Sequence, residues 1–395
     1  MPRLHELFTA RVRDLASDGS GIVPHPDGQV FFVPGVWPGE FAQFRVSGFR
    51  KRHGFAELVA LEEAHPERMQ PPCVHHGVGP GHCGGCPWQF MSYPAQLAAK
   101  EARVRQALVG LGLDSVMAPV LPSPLTLGYR NRAQLKSDGQ SLGYVASNSR
   151  QLVDVQDCPI LSRHNRETLA TLRARLPETA WRPARKQDWT TLDIDEDLPV
   201  GEASINSRRP FQQGNSAQNQ RMRDWLRQTV AALPGDWPVV ELFAGSGNFT
   251  EVLSARGFEH ILAVEGQGEA IDRLAARNLT GVSSLACNLF QAAGLAQTRQ
   301  ALTKPRLLVL DPPRDGFALM PQALAGWKSL AVVLYIACDV ATFRRDVRHL
   351  LEAGFTTEAI QPLDLFPHTP HVELMASFQR PMKRPRSASS KDRSS

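Results

Sequence analysis

The residue best placed by its neighbours to bond covalently with a substrate is Cys338. It ends the apolar run VVLYIAC and precedes an amphipathic stretch, Asp339 to Ala353, closed by Gly354. A thiol opening a helix has its thiolate favoured by the backbone dipole and by free amide donors, so Cys338 is a candidate nucleophile. The plainer reading, a small buried residue ending a strand, is the one given to Cys287. A second set is Cys73, Cys83, Cys86 and Cys158, in the spacing C-x9-C-G-G-C, then 71 residues, then Cys-Pro. Two thiolates separated by two residues can grip one metal centre, and Cys-Pro is a familiar context for an iron-sulfur ligand. Zinc fits the spacing equally, with His75, His76 and His82 near enough to compete as ligands. Metal is favoured over free thiols, and a disulfide framework is not indicated in a chain of this length.

A third constellation is Ala244-Gly245-Ser246-Gly247-Asn248, which follows the strand VVELF and opens a helix. Glycine lets the backbone turn sharply and approach a ligand closely. The next strand ends at Glu265, eighteen residues after Gly247, where a carboxylate can accept from both ribose hydroxyls of an adenosine. A dinucleotide site has a third glycine where this chain has Thr250. The ligand expected is therefore an adenosine without phosphates, which S-adenosylmethionine is.

These residues need a scaffold, and from Trp237 to Gln379 apolar strands alternate with amphipathic helices, the pattern of a doubly wound, mostly parallel α/β sheet. In such a sheet the ligand lies beyond the carboxyl ends of the strands. Glu265, Asn288, Asp311 (in Asp311-Pro312-Pro313-Arg314) and Cys338 all stand there. If the strand ending at Phe366 runs parallel and HVELMASF returns antiparallel, Glu373 begins its strand at the same edge. Before this region, residues 6 to 61 read as short strands of a small barrel, with a turn at His25-Pro26-Asp27-Gly28. A Pro- and Cys-rich stretch runs from His65 to Trp88. Residues 93 to 113 read as a helix with Leu97, Val104, Leu108 and Leu111 on one stripe. RAQLKS, SLGYVA and QLVDVQ are strands of a second β-rich region, interrupted by a helix over 163 to 176.

With 395 residues, 42% apolar and 21% charged, the chain fits two or three ordinary globular domains. It contains no apolar run long enough to cross a bilayer, and its start lacks a secretory pattern, so a cytoplasmic protein without membrane association is expected. Of the net charge of +5, the tail after Pro381 supplies four, from five basic residues against one acidic. Overall charge therefore says little about a partner. Two local clusters, Arg45, Arg50, Lys51, Arg52 and His53, then Arg130, Arg132 and Lys136, read more readily as solvated faces than as nucleic-acid contacts. The tail is expected to be disordered.

Taken in order, these motifs resemble the RNA uracil-5-methyltransferases, in the branch with a TRAM barrel and a four-cysteine iron-sulfur cluster that acts on bacterial 23S rRNA. The likeness runs from about residue 6 to residue 380. It rests on Pro38-Gly39-Glu40, CGGCPWQ at 83 to 89 followed by YPAQLAAK, YRNRAQLK at 129 to 136, FQQGN at 211 to 215, ELFAGSGNFT at 241 to 250, DPPR at 311 to 314, YIACDVATFRRD at 335 to 346 and FPHTPHVE at 366 to 373. The resemblance implies a class I Rossmann-like methyltransferase domain with a mostly parallel seven-stranded sheet, an N-terminal small β-barrel and a central β-rich iron-sulfur domain. The implied boundaries are 1–64 for the barrel, 65–92 with 120–205 for the central domain, 93–119 with 206–380 for the methyltransferase domain, and 381–395 for the tail.

By the same resemblance Gln213, Phe243, Asn248, Glu265 and Asn288 bind S-adenosylmethionine, beside Gly245 and Gly247 of the turn, with Asp311 bordering cofactor and uracil. Cys338 is the nucleophile and Glu373 the base. Cys73, Cys83, Cys86 and Cys158 hold a 4Fe-4S cluster with a structural or RNA-binding task. The expected partner is RNA, 23S rRNA before tRNA, and the expected state is a monomer. The rival from another class is a non-catalytic iron-sulfur RNA-binding or redox-sensing protein. Two departures stand out. Ala337-Cys338-Asp339-Val340 replaces the family's Ser-Cys-Asn-Pro, and a neighbouring carboxylate opposes thiolate formation. The interval from Cys73 to Cys83 is longer than usual, so its loop must bulge without displacing the ligands.

Overall fold

The structure, a computed structural model, describes residues 2–51, 53–147, 149–207, 209 and 211–380. Arg52 of the first basic cluster and the tail expected to be disordered lie outside these residues. The chain divides into two compact units, one of Met1–Gln106, Pro119–Asp224 and Pro362–Glu373, the other of Ala107–Ala118, Trp225–Gln361 and Leu374–Ser395.

The first unit begins with six strands, β1 (Leu7–Arg11), β2 (Asp14–Leu15), β3 (Gly21–Pro24), β4 (Val30–Val33), β5 (Phe41–Arg50) and β6 (His53–Glu63). Their order is β1-β5-β6-β4-β3-β2. Arg13, between β1 and β2, donates its N–H to Ile22, so one bent segment pairs with β5 at one end and β3 at the other and closes the barrel. Alternation along β4 buries Phe31 and Val33 and turns Phe32 outward, which is what a half-buried strand of period two must do. Phe8, Phe31 and Phe44 fill the interior.

Helix α1 (Tyr93–Val109) follows the cysteine-rich stretch. Its buried line runs Gln96, Lys100, Val104, Leu108, so two polar side chains occupy core positions and Leu97 is only half-buried. Of the predicted stripe, Val104 and Leu108 are buried as expected, the line is rotated by one residue at Leu97, and Leu111 lies beyond the end of the helix, which stops at Val109 and not at 113. A five-stranded sheet of β7 (Arg132–Ser137), β8 (Leu142–Val145), β9 (Leu152–Asp154), β10 (Thr190–Asp195) and β11 (Ser204–Ile205) has the order β11-β10-β7-β8-β9. It packs with α2 (Arg163–Arg173), which Ser162 caps by accepting the N–H of Asn165. The second basic cluster is half-buried, and two of its members are engaged within the sheet. Arg132 pairs with the fully buried Asp193, and Lys136 donates to Thr191 Oγ1 at 2.7 Å.

After α3 (Ser216–Val230) comes the sheet of the second unit. Its strands are β12 (Val239–Leu242), β13 (Ile261–Glu265), β14 (Val282–Ala286), β15 (Leu307–Leu310), β16 (Val332–Ala337), β17 (Ile360–Leu363) and β18 (Glu373–Gln379), in the order β14-β13-β12-β15-β16-β18-β17. Every residue of β12, β15 and β16 is buried, as strands covered by helices on both faces must be. The covering helices are α4 (Thr250–Arg256), α5 (Gly268–Ala276), α6 (Ala292–Ala301), α7 (Met320–Gly326) and α8 (Val340–Glu352). Strands β12 to β16 are mutually parallel, and β18 is antiparallel to β16 with Leu374 opposite Ala337. This is the α/β class and the seven-stranded, mostly parallel sheet expected.

Candidate active site and cysteine cavity

Parallel register places the sequence-predicted residues on one edge of this sheet. Leu242 of β12 stands beside Val264 of β13 and Leu310 of β15, and Leu310 beside Tyr335 of β16. One residue beyond that row lie Phe243, Glu265 and Asp311; Cys338 lies three beyond it. β16 is two strands from β12, so Cys338 stands roughly 10 Å across the sheet from the glycine turn.

The turn itself is built by left-handed backbone. Phe243 has φ 64°, Gly245 φ 56° and Gly247 φ 94°. At Gly247 a side chain is doubly excluded, since a Cβ would also stand 2.5 Å from Leu274 Cδ1 of α5. The strained Phe243 has its ring against Phe290 at 5.6 Å and Phe317 at 5.8 Å, and Phe290 is itself half exposed, so an apolar surface borders the turn. Asn288 accepts the N–H of Phe290 at 2.9 Å and shapes the loop after β14.

Glu265 is more occupied than its sequence reading implies. One oxygen accepts the N–H of Gly245 at 2.9 Å, and the other accepts from Gly266 and Gln267 at 2.7 and 2.8 Å. A carboxylate has about four lone-pair sites, so roughly one remains for a ligand, and two ribose hydroxyls would have to share it or take over a backbone bond. In return the carboxylate is rigidly held and tied to the turn it serves.

Two acids near this edge are pushed toward their neutral forms. Glu241 of β12 is 2% exposed with the buried Thr250 against it, and burial, then the Asp311 charge, raises its carboxyl to about 8. Half-buried Asp311 is raised to about 7 by desolvation. Glu241 was not singled out in the sequence, although a glutamate inside the apolar run VVELF is a visible anomaly. Thr250, noted there only for not being glycine, is its neighbour.

Cys338 is half-buried and follows β16 directly. It does not open α8. Asp339 is the N-cap, accepting from Ala341 and Thr342 at 3.0 and 2.9 Å, so the amides expected to favour the Cys338 thiolate serve Asp339 instead. Cys287 donates to Gly294 O at 3.5 Å, as a packing residue would.

In the other unit, Gln213 is half-buried and its carbonyl accepts from Asn131 Nδ2 at 2.9 Å. Glu373 is 5% exposed and is the first residue of β18. The segment leading to it is held by α1. Lys100, fully buried, donates to Asp364 and to Phe366 O, Tyr93 donates to Asp364 at 2.7 Å, and Gln96 Oε1 accepts the N–H of His368 at 2.8 Å.

Cys73, Cys83, Cys86 and Cys158 line a single cavity, with His75, His76 and Tyr144 also in its wall. The long interval is taken up as expected. It doubles back through Gly79 and Gly81, and the Cys83 N–H donates to His75 O at 2.8 Å, returning Cys83 beside its partners. Burial raises the thiols of Cys83 and Cys86 and brings that of Cys158 to about 11, with the neighbouring sulfurs adding to each. Among the described residues no three Cys, His, Asp or Glu side chains form a group that could hold a metal ion.

The family model described as tRNA (Uracil-5-)-methyltransferase matches residues 166–380. The chain is 38% identical over 380 residues to a protein of Nitrosomonas europaea named an uncharacterized RNA methyltransferase, covering 94% of this chain and 97% of that one. It is 32% identical to the 23S rRNA (uracil(1939)-C(5))-methyltransferase RlmD of Halomonas elongata, covering 94% and 89%. In fold it is similar to the tRNA (uracil-54, C5)-methyltransferase of Pyrococcus abyssi, solved with S-adenosyl-L-homocysteine, at a TM-score of 0.70 and 23% identity over 94% of this chain and 99% of that one. The chain belongs to the RNA uracil-5-methyltransferase family.

Proposed function

We propose that this protein methylates carbon 5 of a uridine in RNA, using S-adenosylmethionine and a transient bond from Cys338. The observation that carries the reading is the placement of Cys338 on the same strand edge as the Gly245-Gly247 turn, two strands away, and Glu265, three strands away. Gln213, Phe243, Gly245, Gly247, Asn248, Glu265, Asn288 and Asp311 are the proposed cofactor residues, and the apolar border of Phe243 and Phe290 suits an adenine ring. S-adenosylmethionine, when bound, supplies an electrophilic methyl group.

The chain's own work is on the pyrimidine. The Cys338 sulfur adds to carbon 6 of uracil, and the electron pair of the 5,6 double bond moves to make carbon 5 nucleophilic. Once carbon 5 is methylated, Glu373 removes its proton, the double bond re-forms and the carbon–sulfur bond breaks, returning the thiolate. The uridine must leave its stack to be reached, which unpaired RNA permits most readily.

23S rRNA is the substrate we favour, supported by the name of the Halomonas elongata relative and its coverage of most of this chain. Transfer RNA is the second reading, supported by the description of the family model. We assign the barrel as a TRAM-type RNA contact; its outward Phe32 and Phe55, 6.2 Å apart beside His53, with the exposed Arg50 opposite His53 on the neighbouring strand, suit unpaired bases and their phosphates. We also assign a four-iron four-sulfur cluster to Cys73, Cys83, Cys86 and Cys158. Their common cavity, the C-G-G-C spacing and the Cys158-Pro159 context support it. The cluster would hold the long loop in place; methyl transfer moves no electrons.

The test is transfer of a labelled methyl group to 23S rRNA and to tRNA, followed by digestion to nucleosides. Label in 5-methyluridine from wild type, and none from Cys338→Ala that still binds the methyl donor, supports the assignment. Equal label from both proteins, or label in another nucleoside, overturns it.

A further inference from the structure

A fully buried carboxylate that takes no part in the proposed chemistry joins the helix that follows the nucleophile to the loop after β15. Asp346 of α8 is 0% exposed. Its Oδ2 accepts the N–H of Phe317 and the hydroxyl of Tyr335, each at 2.7 Å, and its Oδ1 accepts from Arg345 Nε at 2.7 Å. Two further bonds run between the same segments. Thr342 Oγ1 donates to Arg314 O at 3.1 Å, and Arg345 Nη2 donates to Asp315 O at 2.9 Å.

The loop is pressed onto the helix so closely that only glycine fits between. Gly316 has φ 67°, and a Cβ there would stand 2.6 Å from Asp346 Oδ2 and 2.9 Å from Thr342 Cβ. Successive residues 314, 315 and 317 are thus each fixed to α8, whose N-cap immediately follows Cys338. At its other side the loop begins at Asp311, and the Phe317 ring packs edge-on against Phe243 at the glycine turn. Tyr335, three residues before Cys338, completes the circuit on β16.

We infer that Asp346 is a positioning residue that sets the Cys338 sulfur against Asp311 and the Phe243 turn, so that the pyrimidine held by the thiol meets the methyl donor in line. The inference rests on the proposed reaction. A shift of about 1 Å between two reacting groups costs on the order of 100-fold in rate, and a helix freed from residues 314 to 317 can shift by that much. Removing the tie should therefore lower the rate of methyl transfer while leaving cofactor and RNA binding in place.

Three variants separate positioning from folding. Asp346→Ala removes all three acceptor bonds. Asp346→Asn keeps an oxygen where Phe317 and Tyr335 donate. Arg345→Met, at a partly exposed side chain, frees Asp315 without emptying the core. For each, the stoichiometry of S-adenosylhomocysteine binding is measured first, then the methyl-transfer rate per cofactor-binding site and the KM for RNA. The expected result for Asp346→Ala is full stoichiometry, an RNA KM within about threefold of wild type and a rate per site lowered about 100-fold. Asp346→Asn should recover most of the rate, and Arg345→Met should lose about fivefold. Wild-type rates per site in Asp346→Ala overturn the inference, as does activity lost only in step with cofactor stoichiometry. If the alanine variant does not fold, an unchanged rate per site in Arg345→Met overturns it. A wild-type protein that methylates no uridine would instead overturn the proposed reaction.

Discussion

The buried ion pair behind Glu373 offers the sharpest energetic prediction. Lys100 and Asp364 are both 0% exposed and bonded to each other. Replacing Lys100 by Met preserves the length of the side chain and removes the charge. The Asp364 carboxylate then keeps the Tyr93 hydroxyl as donor, and Phe366 O keeps Thr369 Oγ1 at 2.8 Å, so the uncompensated charge is the main loss. Removing one partner of a buried pair costs about 3–5 kcal/mol, a large share of the roughly 5–15 kcal/mol that holds an ordinary domain. Lys100→Met/Asp364→Asn should cost less than about 2 kcal/mol, because the asparagine oxygen still accepts from Tyr93 and no charge is left behind. Urea denaturation followed by tryptophan fluorescence reads this unit through the buried Trp88 and Trp181. A loss below about 1 kcal/mol in Lys100→Met, or a double variant no more stable than the single, would refute the reasoning.

Other tests follow from the site. Glu265→Ala should raise the cofactor Kd by about 10- to 100-fold, the worth of one charge-assisted hydrogen bond, with kcat less affected; an unchanged Kd in an equilibrium binding assay would remove Glu265 from the cofactor site. Because burial raises Glu241 to about 8 and Asp311 to about 7, the folded state holds protons that the unfolded chain releases near 4. Stability should therefore fall as pH rises from about 4 to about 8 and level off beyond, and Glu241→Gln should flatten that slope in denaturation measured across the range. Protein purified without oxygen should be brown with visible absorption, and Cys86→Ser should lose both iron and colour; a colourless wild type holding one zinc would refute the cluster.

The sheet was legible because a fully buried parallel strand writes itself as a nearly continuous apolar run. VVEL, ILAVE, LLVL and VVLYIA could hardly be anything else. The strand ends followed from topology alone, which is why Glu265, Asp311 and Cys338 fell on one edge. Polar residues in buried roles were harder to see. Gln96 and Lys100 occupy the core line of α1, where periodicity assigns apolar side chains, because they hold the segment that leads to Glu373. Helix capping depends on which of two adjacent residues leaves helical geometry, so the N-terminal amides of α8 went to Asp339 and not to Cys338. The role of Asp346 could not be read at all, since its partners Phe317 and Tyr335 lie 29 and 11 residues away and meet only through the packing of α8 on the sheet.

The bond from Cys338 to a uridine is best tested with RNA carrying 5-fluorouridine. Fluorine cannot leave carbon 5 as a proton does, so an enzyme that adds sulfur to carbon 6 and transfers the methyl group stays joined to its substrate. In the presence of S-adenosylmethionine, wild type should give a protein–RNA adduct that survives denaturing electrophoresis, with the modified peptide containing Cys338, and Cys338→Ala should give none. An adduct on another residue, or methylation of ordinary RNA by Cys338→Ala at the wild-type rate, would contradict the mechanism.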